Sequence, residues 1–101
     1  MNLFEQIREK VKEIPEGKVS TYGEVAKTLG IKDVRKIGWA LHQNKNSEAC
    51  PCHRVVNKEG EISRGYVFGG QEVQKALLEK EGVKFINKTK IDLEKCLYIF
   101  I

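Results

Sequence analysis

Residues 21–43 read TYGEVAKTLGIKDVRKIGWALHQ, and their spacing decides the fold. Thr21 and Glu24 stand three apart as an S/T-x-x-E capping box, in which hydroxyl and carboxylate each satisfy an amide that the first turn of a helix leaves without a partner. The helix so begun is short, Tyr22 to Leu29, because Gly30 stands where a left-handed residue would close it. Asp33 can then cap a second helix, running to about Gln43, with Val34, Ile37 and Leu41 on one face. Two helices joined by a tight glycine-containing turn resemble a helix-turn-helix unit. Taken by itself the pattern favours two ordinary packed helices over nucleic-acid recognition, since a fold does not dictate a function.

Upstream, Leu3, Phe4, Ile7, Val11 and Ile14 recur at helical spacing between charges. They predict an amphipathic helix over residues 2–14, stopped by Pro15, with Glu16 and Gly17 as the turn. Downstream, the polar run at 44–48 predicts a loop, Val55 and Val56 a short extended piece, and residues 57–60 a turn. Gly65, Gly69 and Gly70 keep the next stretch irregular. A further helix is predicted over about 71–81, burying Val73, Leu77 and Leu78, with Gly82 as its stop signal. The tail beyond Phe85 shows no clear period. The expected fold is mainly α with a minor α+β component, a single domain over residues 1–101 built around a winged-helix-like helix-turn-helix.

Composition agrees with a globular chain: 101 residues, 41% hydrophobic and 32% charged, enough to close one modest core. Lys and Arg exceed Asp and Glu by 18 to 14, a net charge of +4 that permits a polyanionic partner without identifying one. The amino terminus is charged and amphipathic rather than a secretory signal, and no apolar run approaches a membrane span. An odd count of three cysteines fits a reducing compartment, so at least one thiol should be free. The expected location is intracellular, cytoplasmic or nucleoid-associated, and nuclear in a eukaryote.

The chemistry-bearing residues lie in residues 49–56, ACPCHRVV. Cys50, Cys52 and His53 offer three metal donors, with His42 or Cys96 as a distant fourth. The C-x-C-H spacing is tighter than structural zinc sites use, and Pro51 restricts how both sulfurs could turn toward one ion. No metal is expected. A nucleophile asks less of the geometry: an imidazole near Cys52, directly or through one water, can take the thiol proton, and a carboxylate can orient the ring. Neighbours on an extended segment point to opposite faces, so this pairing requires a turn, which Pro51 can help impose. A buried cysteine packed as a small hydrophobe beside a satisfied histidine remains the better explanation of a Cys-His dipeptide met by itself.

The motifs taken together resemble the O6-alkylguanine-DNA alkyltransferases. Residues 51–56, PCHRVV, are similar to that family's active-site hexapeptide. The likeness extends through IPEGKVSTYGEVAKTLG and DVRKIGWALHQN upstream and YVFGG and LLEKEGV downstream, covering about residues 4–85. It implies a DNA repair protein that flips O6-alkylguanine out of the duplex and transfers the alkyl group irreversibly to its own cysteine. Cys52 would be the acceptor, His53 its base through a water, Glu81 the carboxylate orienting the histidine, and Asn44 the brace of the active-site turn. Tyr22 would help rotate the nucleotide and hydrogen-bond the flipped base, and Arg35 would fill the gap left in the stack. Gly38 would let the second helix approach the minor groove, and Lys18, Lys36 and Lys45 would contact phosphates. The carbonyls of Cys52 and Val55 would recognise the guanine amine, with Phe68 beside them.

The expected partner is double-stranded DNA carrying alkylated bases, the expected state a monomer, and no cofactor is implied. Trp39, His42 and Phe68 depart from the usual pattern, and the amino-terminal domain of many members has no counterpart in the quoted motifs. An alternative within the resemblance is the alkyltransferase-like group, which binds alkylated DNA without transfer and typically carries tryptophan in place of the cysteine; Cys52 argues against it. A helix-turn-helix DNA-binding module with a non-catalytic cysteine is the alternative from another class.

Overall fold

A computed structural model describes residues 1–45 and 49–100 of the chain. The predicted loop at 44–48 therefore lies partly outside the described residues, as does Ile101. Helix α1, Leu3–Val11, opens on Asn2, whose side-chain oxygen accepts from the Glu5 amide at 2.9 Å. It is shorter than the period suggested. Ile14 is nevertheless fully buried, reaching the core from the turn beyond the helix.

Strand β1, Ser20–Thr21, leads directly into α2, Tyr22–Leu29. Thr21 Oγ1 accepts from the Glu24 amide at 3.0 Å, and Gly30 closes the helix at φ 70°. That left-handed turn redirects the chain into α3, Arg35–His42. Asp33 serves this start from one position further out than a standard cap: its Oδ1 accepts the Arg35 amide at 3.1 Å. The expected apolar face needs one correction. Ile37, Ala40 and Leu41 are buried, but Val34 is 42% exposed because it precedes the first helical turn and points away from the packed side.

A 3-10 turn at Cys52–Arg54 follows, then strand β2, Val55–Val56. Strands β1 and β2 pair in parallel, Ser20 opposite Val55 and Thr21 opposite Val56. This short ladder ties the segment carrying Cys52 to the entrance of α2. Helix α4, Gly70–Lys80, returns beneath the turn. Its buried residues are Gln74 and Leu78, whereas Val73 is 38% exposed, so the expected burial of Val73 is wrong. The cause is polar: Gln74 fills the inward position because backbone groups there need a partner.

The tail adds to the second of two apolar centres. The first gathers Ile7, Val11, Val25, Ile37, Leu41 and Val55 between α1, α2 and α3. The second gathers Val19, Val56, Ile62, Leu78, Val83 and Ile91. Helix α5, Leu93–Cys96, and single bridges from Lys90 to Glu61 and from Leu97 to Val19 close it. The architecture is mainly α, a helix-turn-helix with a two-stranded accessory ladder. Among the described residues no helix is long and apolar enough to cross a membrane.

Candidate active site

The site starts from Pro51. With ψ 67° it turns the chain so that the Cys52 amide donates back to the Cys50 carbonyl at 2.8 Å, and the 3-10 turn begins at once. Cys52 and His53 are thereby released from strand alternation, and both are buried. Asn44, at the exit of α3, donates Nδ2 to the Cys50 carbonyl at 3.1 Å and approaches Cys52 Sγ at 3.8 Å. One side chain thus braces the turn and touches the sulfur.

Cys52 lines a cavity of about 420 Å³ together with Tyr22 from α2, Gly38, Trp39 and His42 from α3, and Ser63 and Tyr66 from the irregular segment. This is the size range of small-ligand sites. Burial pushes the Cys52 thiol up, while contacts from Asn44 and Tyr66 pull it down in part. Tyr22 is likewise raised by burial, against a hydrogen bond with Ser63.

His53 and Glu81 face a second cavity, about 500 Å³, with Lys12, Pro51, Arg54 and Leu77. His53 Nε2 and Glu81 Oε2 lie 2.9 Å apart. Arg54 grips the same carboxylate with two bonds, Nε to Oε1 at 3.0 Å and Nη2 to Oε2 at 2.8 Å, and donates Nη1 to the Ile14 carbonyl at 2.9 Å. Burial would raise the Glu81 carboxyl, but Arg54 and His53 outweigh it and hold Glu81 below the usual carboxylate range. An ionised Glu81 accepts, so His53 Nε2 donates to it, and in the neutral ring that leaves the lone pair on Nδ1. His53 Nδ1 is buried and has no hydrogen-bond partner among the described residues.

The remaining candidates fall on three surfaces. Arg35 stands exposed at the first turn of α3, its guanidinium paired with both oxygens of Asp33 at 3.0 and 3.1 Å and 5.7 Å from the Trp39 ring centre. Gly38 lies on the same helix, and a Cβ built on it would meet nothing within 4 Å. Lys45 is exposed and Lys36 partly so, while Lys18 Nζ reaches the Lys95 carbonyl at 3.5 Å. Neither Val55 nor Phe68 is among the residues lining the Cys52 cavity. The Val55 side chain is core and its carbonyl accepts from Gln74 Nε2 at 3.3 Å; the Phe68 ring packs edge-on against Tyr66 at 5.8 Å.

The cysteines are not gathered for a metal. Cys50 Sγ lies 3.7 Å from the Arg8 carbonyl, and Cys96 Sγ donates to the Asp92 carbonyl at 3.2 Å. Among the described residues no three His, Cys, Asp or Glu side chains converge to hold an ion. Burial, with the neighbouring Cys52, pushes the Cys50 thiol up to about 11, which leaves it inert at neutral pH.

Tyr66 and Ser63 on the cavity wall were not singled out from the sequence, nor were two residues that tie the site together, Gln74 and Arg54. Gln74 donates Nε2 to the carbonyls of His53 and Val55 and accepts the Ser63 amide at 2.8 Å, tying the 3-10 turn to the cavity's far wall. Arg54 anchors Glu81. Arg54 adjoins the Cys-His pair, a signal that was available; Gln74 had none, since its partners come from segments far apart in the chain.

Comparisons with known proteins agree on one family. Residues 2–83 match the 6-O-methylguanine DNA methyltransferase, DNA binding domain. The chain is 40% identical over 82 residues to alkyltransferase-like protein 1 of Schizosaccharomyces pombe, covering 80% of this chain and 76% of that one. It is 39% identical over 105 aligned positions to the methylated-DNA--protein-cysteine methyltransferase of Candida glabrata, covering 96% of this chain but only 50% of that protein. The fold superposes on S. pombe Atl1, crystallised with damaged DNA containing O6-carboxymethylguanine, with a TM-score of 0.85, 34% identity and coverage of 97% and 98%. The capped helix pair, the turn that buries Cys52 and His53, and the match through residue 83 lead to one assignment: the chain belongs to the 6-O-methylguanine DNA methyltransferase DNA-binding-domain family.

Proposed function

We propose that this protein repairs duplex DNA by flipping O6-alkylguanine into the Cys52 cavity and taking the alkyl group onto Cys52, once per molecule. The observation that carries the reading is the turn at Pro51, which puts a buried thiol on the wall of a base-sized cavity with a Glu81-oriented imidazole on the adjacent residue.

In the proposed step His53 Nδ1 takes the Cys52 proton through a water. Sulfur then attacks the alkyl carbon, the C–O6 bond breaks with its electron pair going to the purine, and the purine takes back one proton. A thioether and an ordinary guanine result. Glu81, clamped by Arg54, stabilises the histidine in the tautomer this requires. Asn44 holds the sulfur, and Tyr22 on the opposite wall meets the flipped base. The carbonyls of Cys52 and Val55 would bind its amine, the Val55 carbonyl by giving up Gln74 Nε2 for the base, and Phe68 backs Tyr66. The chemistry calls on no cofactor.

Extrusion costs a few kcal/mol, and Arg35, once released from Asp33, can offset part of it by filling the stack. Gly38 supports the same docking surface. Glycine inside a helix costs about 1 kcal/mol relative to alanine, yet among the described residues none occupies the space a Cβ would take there. Close approach of an outside partner explains the glycine. Lys18, Lys36 and Lys45 would neutralise phosphates, giving weak sequence preference. The unit over residues 1–101 is proposed to act as one domain, as a monomer, inside the cell.

A second reading is favoured by coverage: the chain spans most of two relatives, alkyltransferase-like protein 1 and a Vibrio parahaemolyticus DNA base-flipping protein, 76% and 89% of their lengths. It makes the chain a damage-recognition protein that binds without transfer. The two readings separate when the recovered duplex is analysed. Repair predicts that protein in excess converts every O6-methylguanine to guanine and that Cys52→Ser binds the duplex but converts none. Recovery of unaltered O6-methylguanine from a tight complex of the unmutated protein would replace repair with recognition.

A further inference from the structure

Tyr66 is 7% exposed, and its hydroxyl is buried with no hydrogen-bond partner in strict geometry among the described residues. A buried O–H left unpaired costs about 1–3 kcal/mol, so its retention calls for a reason. Packing does not supply one. The ring meets Phe68 edge-on at 5.8 Å, a contact that phenylalanine would make equally well without the polar cost.

The hydroxyl instead belongs to the cavity it lines, whose reacting atom is Cys52 Sγ. Phenol and thiol share this cavity wall, and the nearby phenol pulls the Cys52 thiol down in part against its burial. The other groups facing the sulfur are spoken for or cannot donate well. Asn44 Nδ2 is shared with the Cys50 carbonyl and reaches the sulfur only at 3.8 Å. The Tyr22 phenol is engaged with Ser63, and the Cys50 sulfur is turned to the Arg8 carbonyl at 3.7 Å. The ring of His53 is committed at Nε2 to Glu81, which Arg54 holds in turn.

We infer that Tyr66 is a catalytic residue of this site, its hydroxyl donating a hydrogen bond to the Cys52 thiolate at the moment the thiol loses its proton. In the resting protein the neutral thiol is a weak acceptor and the hydroxyl is poorly satisfied. When sulfur becomes anionic the same O–H gains a strong acceptor, so the contact favours the reactive form over the resting one. This rests on the proposed role of Cys52 as nucleophile, but its test does not.

The test is the pH profile of Cys52 alkylation by iodoacetamide in the free protein, read at the Cys52 peptide by mass spectrometry, with Tyr66→Phe and Tyr98→Phe compared with the unmutated chain; Tyr98 lies outside the cavity, against Phe100. The inference predicts that Tyr66→Phe moves the profile about one pH unit upward, a tenfold loss of thiolate at any pH below it, while Tyr98→Phe leaves it in place. Superimposed profiles for Tyr66→Phe and the unmutated chain would overturn it, as would equal shifts in both variants, which would mark a general effect of losing a phenol. No DNA is present, so the outcome does not depend on whether transfer occurs. Circular dichroism of both variants separates an altered thiol from an altered fold.

Discussion

At Cys52 two tendencies compete: burial keeps the thiol protonated, and the polar atoms turned toward the sulfur make the anion accessible when a base acts. A resting thiol held mostly neutral is less exposed to adventitious oxidation. Arg35 shows a comparable restraint. Its bidentate pairing with Asp33 holds the side chain at the surface, where an exposed pair is worth little and can be given up on DNA binding. Arg35→Ala should therefore weaken binding to a duplex with an extruded or alkylated base by tenfold or more, while changing affinity for intact duplex only a few-fold. Fluorescence of a 2-aminopurine placed opposite the lesion, measured beside ordinary binding, separates the effects; equal losses in both would remove Arg35 from the flipping step.

Among the elements, α3 carries most of the account. Its inner face, Ile37, Ala40 and Leu41, is core, and its outer face offers Gly38 and Trp39 at the cavity rim. Gly38→Ala should act with opposite signs on the two faces. Helix propensity predicts a gain of about 0.5–1 kcal/mol in stability, since the added methyl meets none of the described residues within 4 Å, and close docking predicts a loss of duplex affinity. Chemical denaturation and a DNA titration on the same preparation check both; a variant that is more stable and binds equally well would mean that α3 does not approach the DNA at this point.

Local elements were also the ones legible in the sequence. Thr21, Glu24 and Gly30 define α2 through contacts within four residues, so their chemistry can be read directly. Helix α4 shows the limit of that approach. Apolar periodicity favours burying Val73, yet Gln74 occupies the interior because the His53 and Val55 carbonyls and the Ser63 amide converge there from distant segments. Val34 misled for the opposite reason: an apolar residue in a helical pattern lies one step before the first helical turn. Cys52 and His53 were readable as a candidate pair from their own segment, whereas Glu81 came from the family resemblance, because the His53–Glu81 pair at 2.9 Å joins residues 28 apart.

On the scale of the whole molecule, the Arg54, Glu81 and His53 cluster links α1's exit, the 3-10 turn and the end of α4. It should make stability depend on pH. Glu81 has its folded value depressed below 4.5, so its contribution is complete above that pH and is lost as pH falls through the depressed value. Glu81→Gln should cost roughly 2 kcal/mol at pH 7, less than for a completely buried pair, and the gap should narrow in acid. Urea denaturation of both proteins at pH 7 and pH 3 measures it; a gap that persists undiminished at pH 3 would show that the carboxylate charge is not what holds the three segments.

The central claim, that Cys52 is an alkyl acceptor, is tested most directly by peptide-resolved mass spectrometry after mixing the protein with a duplex containing O6-methylguanine. One methyl group per molecule is expected, on Cys52, with Cys50 and Cys96 unmodified. A tightly bound duplex with all three cysteines unmodified would contradict it and leave a protein that finds damage without repairing it.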